Sequence, residues 1–187
     1  MDGEIVVRLD GMSGRALSYV TEEQTVTGRL VRIRGPLAAA LLQQPTVRFL
    51  RLVPDLPLPY YAKAGDAGMD LRAARDAKIC PGERLVMPTG VAMELPDGFE
   101  GQIRPRSGLA AEKGLTIVNS PGTIDSGFRG EIKVILLNTD KRLPIHIFRG
   151  ERIAQLVVAP VSRVSVVEVA ELTATDRGTG GFGSTGA

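Results

Sequence analysis

The chain has 187 residues, 43% of them hydrophobic and 4% aromatic, and 23 Lys and Arg against 21 Asp and Glu leave a net charge of +2. This length supports one real core with an appendage, and such evenly mixed charge argues against a protein that coats nucleic acid; a pI near 8.9 leans only mildly toward anionic ligands. A single cysteine, Cys80, and a single histidine, His146, exclude an internal disulfide, a multi-cysteine metal site and a histidine-rich metal centre within one chain.

The N-terminus carries Asp2 and Glu4 and lacks the basic-then-apolar pattern of a secretory signal. No stretch is long and apolar enough to span a bilayer. With one cysteine, the expectation is a cytoplasmic protein with neither a membrane nor a nucleic acid among its partners. Residues 1–45 read as an N-terminal extension of unknown role. EIVVRL and TVTGRLVRIRG suggest two strands there, and GPLAAALLQQ a short helix started by Pro36. Arg29, Arg32 and Arg34 form a local basic run, read as a solvated strand face in preference to an anion site. Met12 offers an alternative start.

From Val47 the pattern changes. VRFLRLV, GMDLRAA, ERLVMPTGVAMEL, FEGQIRP, LTIVN, EIKVILLN, PIHIF, RIAQLVVAP and RVSVVEV follow one another, broken by Gly, Pro, Asp and Asn. Dense β-branched residues and 12 prolines predict an all-β sandwich or barrel over residues 46–176. One short helix is expected at SGLAAEKG, with Ser107 as its N-cap, Ala110 and Ala111 favouring it and Gly114 ending it. Its start lies next to Arg106, where free N–H groups attract phosphate. His146 sits in the apolar run LPIHIF and reads as a structural histidine on a buried or half-buried strand. No G-x-S-x-G elbow accompanies it, so hydrolysis would have to lean on carboxylates and an oxygen-loving metal.

The densest stretch is VNSPGTIDSGFRGEIKVILLN, Val118 to Asn138. A turn-rich segment, Asn119 to Gly130, precedes a strongly apolar strand. A carboxylate at such a bend is usually a solvated turn residue. Here Pro121, Gly122, Gly127 and Gly130 shape a loop whose backbone can imitate the hydrogen-bonding edge of a base, which places Asp125 as a general base for water. The chain ends in RGTGGFGSTGA. GFGSTG matches G-x-G-x-x-G, but no helix follows it, and no Lys follows the glycines as a P-loop requires. Glycines that let N–H groups approach an anion, with Arg177 for charge and Phe182 for a flat face, describe a flexible lid over residues 177–187.

These stretches, taken in order, resemble the trimeric dUTP diphosphatase (dUTPase) family. AGMDL (Ala67 to Leu71) is similar to the first of that family's five motifs and RPRSGLA (Arg104 to Ala110) to the second. VNSPGTIDSGFRGEI is similar to the third, RGERIAQLVV (Arg149 to Val158) to the fourth and RGTGGFGSTG (Arg177 to Gly186) to the fifth. Single motifs of this kind are weak; five in sequence over about three quarters of the chain are strong.

The resemblance implies a distorted jelly-roll β-barrel, a homotrimer whose active sites draw on more than one subunit, and hydrolysis of dUTP to dUMP and pyrophosphate with Mg²⁺ on the phosphates. That reaction keeps uracil out of DNA and supplies dUMP for dTMP synthesis. By position, Asp125 activates water for attack on the α-phosphorus, and Asp70 holds waters of the metal. Arg106, Ser107 and Gly108 hold the phosphate chain, with Ser107 near the leaving oxygen, and Gln155 binds the α-phosphate. Asn119 and the backbone of Gly122, Thr123 and Ile124 read uracil, and Lys133 joins the substrate-binding set. Phe182 stacks on the base, while Arg177, Gly183, Ser184 and Thr185 close on the γ-phosphate. Phe128 stands where the family usually has tyrosine, which keeps the steric wall against a 2′-hydroxyl and loses one hydrogen bond. Two rivals share the scaffold. A dCTP deaminase needs a glutamate where this chain has Ile135, and a non-catalytic nucleotide-binding regulator would not need the set Asp70, Arg106, Ser107, Asp125 and Gln155 intact.

Overall fold

The structure is a computed structural model that describes residues 4–9, 20–25, 28–34 and 45–181. Three strands come first: β1 (Glu4–Leu9), β2 (Val20–Thr25) and β3 (Gly28–Arg34). They pair antiparallel in the order β1-β3-β2. Sequence patterning suggested two strands here, which correspond to β1 and β3; β2, VTEEQT, is a third strand that its polar residues concealed. The helix expected from Pro36 lies outside the described residues.

The body of the chain carries β4 (Arg48–Arg51), β5 (Met69–Arg72), β6 (Ala77–Ile79), β7 (Arg84–Glu94), β8 (Phe99–Arg104), α1 (Ser107–Lys113), β9 (Leu115–Ile117), β10 (Gly122–Ile124), β11 (Glu131–Asn138), β12 (Ile145–Ile147) and β13 (Arg152–Pro160). They form two four-stranded sheets, β10-β8-β13-β5 and β4-β7-β11-β9, and a two-stranded ribbon, β12-β6. All pairs are antiparallel. The sheets share one core but do not close into a barrel among the described residues, so the architecture is jelly-roll-like and open-edged.

Period-two alternation explains β11. Ile132, Val134, Leu136 and Asn138 are buried, and Glu131, Lys133, Ile135 and Leu137 face the other way. Ile132, Val134 and Leu136 meet Met69, Leu71 and Leu156 from the facing sheet in one apolar cluster. Each such side chain contributes about 1.5–3 kcal/mol by leaving water. Asn138 is buried yet satisfied: its Nδ2 donates to Ile79 O at 3.0 Å and Leu143 O at 2.9 Å, and its Oδ1 accepts from Asp140 N at 2.9 Å. It thereby ties β11 to the turn before β12. In that turn Asp140 accepts from the backbone N–H groups of Leu143 and Arg142, which holds its carboxyl below the usual value of 3.8.

Four details depart from the sequence reading. RVSVVEV forms no strand; it is extended and exposed, with Val166 at 91% and Leu172 just beyond at 87%. Its β-branched residues favour a strand only where a neighbouring strand is present to pair. Two short strands, β6 and β10, were hidden by polar and glycine content. His146 is exposed, because Ile145 and Ile147 take the core face of β12. Ser107 is the first helical residue and not the cap: Arg106 occupies the N-cap in extended geometry with no side-chain cap bond. The other end of α1 is as expected, with Gly114 at φ 66° closing it through N–H bonds to Ala110 O and Leu109 O.

Candidate active site

The segment expected to read a base builds a cleft of about 230 Å³. Asn119, Gly122, Thr123, Ile124, Asp125, Phe128 and Lys133 all line it. β10 positions the first part by pairing with β8, Gly122 opposite Ile103 and Ile124 opposite Gly101. Because β10 is the edge of its sheet, its outer backbone groups are free of ladder bonds. Beyond Ile124 the chain turns, and Phe128 N donates to Asp125 O at 3.1 Å. Arg129 fastens that turn, its Nη1 donating to Ser126 O at 2.6 Å and Phe128 O at 2.9 Å. The Phe128 ring, 41% exposed, lies against Gly130. A Cβ at Gly130 would stand 2.7 Å from Phe128 Cζ, so the ring needs a residue without a side chain there. Three lining residues escaped the sequence reading, Ile103, Ile117 and Val134, and Ile135, noted where a dCTP deaminase has its glutamate, lines the cleft too. The first three are buried and close the cleft from the core side. Their apolar character marked them only as core.

A second group assembles on the outer face of the other half of that sheet. Gln155 of β13 stands opposite Asp70 of β5. Met69 and Leu156, the next pair along, are buried, so Asp70 and Gln155 point away from the core. Gly68 leaves room for the glutamine: a Cβ there would come within 3.3 Å of Gln155 Cβ. The Asp70 side chain is 15% exposed and sits between two guanidiniums, with Oδ1 3.0 Å from Arg106 Nε and Oδ2 accepting from Arg152 Nη1 at 3.1 Å. The Arg106 contact is an ion pair without an aligned hydrogen bond, so Asp70 Oδ1 and Arg106 Nε are buried with hydrogen-bonding capacity left. Arg106 Nη1 also reaches Arg152 O at 3.4 Å. Ser107 and Gly108 follow at the exposed start of α1. Arg152 was not among the expected site residues; its only signal in sequence was its place inside the fourth motif.

The two groups do not meet within one chain. Gly122, Ile103, Leu156 and Met69 form one row across the sheet, on β10, β8, β13 and β5. At about 4.8 Å per strand, β10 and the Asp70 strand β5 lie roughly 14 Å apart, with Gln155 on β13 one strand nearer. No residue of the second group lines the cleft. Arg177 is exposed, its Nε donating to Gly180 O at 3.0 Å. Phe182, Gly183, Ser184 and Thr185 lie outside the described residues.

The dUTPase family model matches residues 55–186. The chain belongs to the dUTPase family. It is 60% identical over 140 residues to the deoxyuridine 5'-triphosphate nucleotidohydrolase of Thermobifida fusca, covering 75% of this chain and 78% of that one. The enzyme of the same name from Rhizobium etli is 53% identical over 148 residues, 76% of this chain and 94% of its own. Among solved structures, the Staphylococcus bacteriophage 80alpha dUTPase with dUPNHPP superposes with a TM-score of 0.70 at 28% identity, over 76% of this chain and 99% of that one. The chain is therefore an enzyme that hydrolyses dUTP to dUMP, the activity expected from its five motifs. Among the described residues, no helix is long and apolar enough to cross a membrane.

Proposed function

We propose that dUTP is hydrolysed at sites shared between copies of this chain in a homotrimer, one copy supplying the base cleft and another the Asp70 cluster. The observation that carries this reading is the separation of the two groups across one sheet. Among the residues that line the base cleft, Lys133 of β11 is the one cation that a triphosphate bound there would meet. The exposed arm after β13, with Val164, Val166, Val167, Val169 and Leu172 all in solvent, also suits a chain that lies on a neighbour.

In such a site the outer edge of β10 and the Asn119 amide hydrogen-bond uracil. Phe128 walls the sugar, and Asp125 orients a water and takes its proton as it attacks the α-phosphorus. Gln155 donates to the α-phosphate as its charge grows. Arg106, with the backbone at Ser107 and Gly108, holds the rest of the chain of phosphates and the leaving oxygen. Residues 177–187, through Arg177, Phe182, Gly183, Ser184 and Thr185, close over the substrate and exclude water.

The residues present fit Mg²⁺. Among the described residues no cluster of three carboxylate, histidine or cysteine side chains exists to cage a metal. One carboxylate oxygen, Asp70 Oδ1, is buried with accepting capacity left. That suits a cation that arrives on the phosphates and keeps its waters, and when bound it neutralises phosphate charge. The lone cysteine fits a reducing, cytoplasmic setting. Residues 1–45 are read as an accessory layer, so a chain starting near Pro45 keeps kcat/KM within about threefold.

Mixed assemblies test the shared site. Asp125→Asn and Gln155→Ala chains, each inactive alone, are refolded together in equal amounts, with trimer size checked by light scattering. Because each site draws its halves from different copies, about one quarter of wild-type activity should return. If no activity returns from mixed trimers, each site lies within one chain.

A further inference from the structure

The two oxygens of Asp70 are not equivalent. Oδ2 accepts an aligned hydrogen bond from Arg152 Nη1 at 3.1 Å. Oδ1, 3.0 Å from Arg106 Nε, receives no hydrogen bond. Arg152 opens β13 at a register shift against β5, between Arg152 and Ala154. The irregularity moves its side chain off the simple strand alternation and onto the carboxylate. Its backbone carbonyl also faces Arg106 Nη1 at 3.4 Å. One residue thus touches both charged groups on which the phosphate half depends.

Resting on the reading of Asp70 given above, we propose that Arg152 is a positioning residue of the phosphate site. It anchors Oδ2, so that Oδ1 alone is presented to the water shell of a triphosphate-bound divalent cation. Electrostatics argue for the same division. A bare carboxylate facing a triphosphate would repel it, whereas one carboxylate between two guanidiniums leaves one net positive charge. When Arg106 turns to the phosphates, Arg152 still neutralises Asp70. Arg152 is 47% exposed at its side chain against 25% for Arg106, as expected of an anchor on the outer side and a ligand-facing group on the inner side. The planar fork of arginine fixes the carboxylate's rotation, which a flexible ammonium would do less well.

The test is calorimetric binding of the analogue dUPNHPP to the full-length protein over a range of Mg²⁺ concentrations, which needs no turnover. In Arg152→Gln the Mg²⁺ concentration that gives half of the metal-dependent tightening should rise on the order of tenfold, the scale of one charge-assisted hydrogen bond. Affinity without Mg²⁺ should stay within about twofold, since the anchor acts through Asp70 and not on the phosphates. Arg152→Lys should recover part of the shift. Asp70→Asn should show the full shift, and adding Arg152→Gln to it should change nothing more. A shift in Asp70→Asn with none in Arg152→Gln overturns the anchor and leaves the Asp70 reading standing. Equal losses with and without Mg²⁺ overturn it too, making Arg152 a direct phosphate contact. No shift in Asp70→Asn removes both. If Arg152→Gln does not fold, judged by its thermal transition, the Lys variant and its Mg²⁺ dependence decide.

Discussion

The base cleft draws its expected residues from one run of chain, Asn119 to Lys133, whereas the phosphate cluster collects Asp70, Arg106, Arg152 and Gln155 from β5, the loop before α1 and β13. The cleft is shaped by backbone: an edge strand, a turn closed by Phe128 N, and a ring lying over a glycine. The cluster is shaped by charge, and its parts are held by pairing with one another. A base has a fixed outline and a fixed hydrogen-bonding edge, so backbone geometry can read it. A triphosphate is flexible and heavily charged, and mobile cations suit it better. On the function proposed above, the difference assigns recognition and charge neutralisation to separable pieces, and each piece can be attacked alone.

The largest effect should come from the reacting end of the cleft. Asp125→Asn keeps the outline of the loop and removes the proton acceptor. Turnover should fall by about 10²–10⁴-fold, while dUPNHPP binding stays within a few-fold in calorimetry. A variant retaining a tenth of wild-type kcat would break the assignment of the base.

Arg106→Ala attacks the other piece. Charge-assisted hydrogen bonds contribute about 1.5–3 kcal/mol, so dUPNHPP affinity should drop roughly 10- to 150-fold. Deoxyuridine carries no phosphate, and its weaker binding should be untouched. Equal losses for both ligands would mean that the halves are not separable and that Arg106 supports the cleft as well.

Gly130→Ala sharpens the comparison from within the cleft. The added methyl would stand 2.7 Å from Phe128 Cζ, and the exposed ring must swing aside. Strain of this kind costs about 0.5–1.5 kcal/mol when the side chain leaves its rotamer. Discrimination of dUTP against UTP, measured as a ratio of kcat/KM values, should therefore fall several-fold with kcat for dUTP little changed. An unaltered ratio would remove Phe128 from the sugar wall.

The same contrast explains what was legible in the sequence. The turn of the cleft, with Asp125 in it, was readable because Asn119 to Lys133 is contiguous and its Gly and Pro positions dictate a turn, while Asn119, Thr123, Ile124, Phe128 and Lys133 came from the resemblance. β11 was readable from its alternation, and the end of α1 from Gly114. Of the phosphate cluster, Arg106 was readable beside a helix start, but Asp70 and Gln155 only through resemblance, since nothing local ties them together across the sheet. Arg152 was missed because an arginine at the first position of a strand looks like any solvated charge until Asp70 is placed beside it. The arm after β13 was read as a strand because valine spacing reports propensity, while strand formation requires a partner. Ser107 was read as a cap from its residue type, but Arg106 already supplies the extended geometry one position earlier.

The smallest expected effect lies outside both pieces, in the turn between β11 and β12, and serves as their control. Asp140 accepts N–H bonds from Leu143 and Arg142, which lower its carboxyl from 3.8. A carboxyl whose folded pKa is depressed adds stability above its unfolded value and loses it as pH falls through the folded one. Asp140→Asn keeps an oxygen for the two N–H groups and loses only the charge. Its Tm at neutral pH should lie slightly below wild type, by a few degrees at most. The gap should begin to narrow once pH falls below about 3.8, where the unfolded chain takes up the proton, and close as pH falls through the lower folded value. Thermal melts from neutral to strongly acidic pH would show this, and a gap independent of pH would mean that the charge is irrelevant to the turn. Since the turn touches neither Asp125 nor Asp70, kcat and dUPNHPP affinity at neutral pH should match wild type, and a change in either would extend one half of the site into the β11–β12 turn.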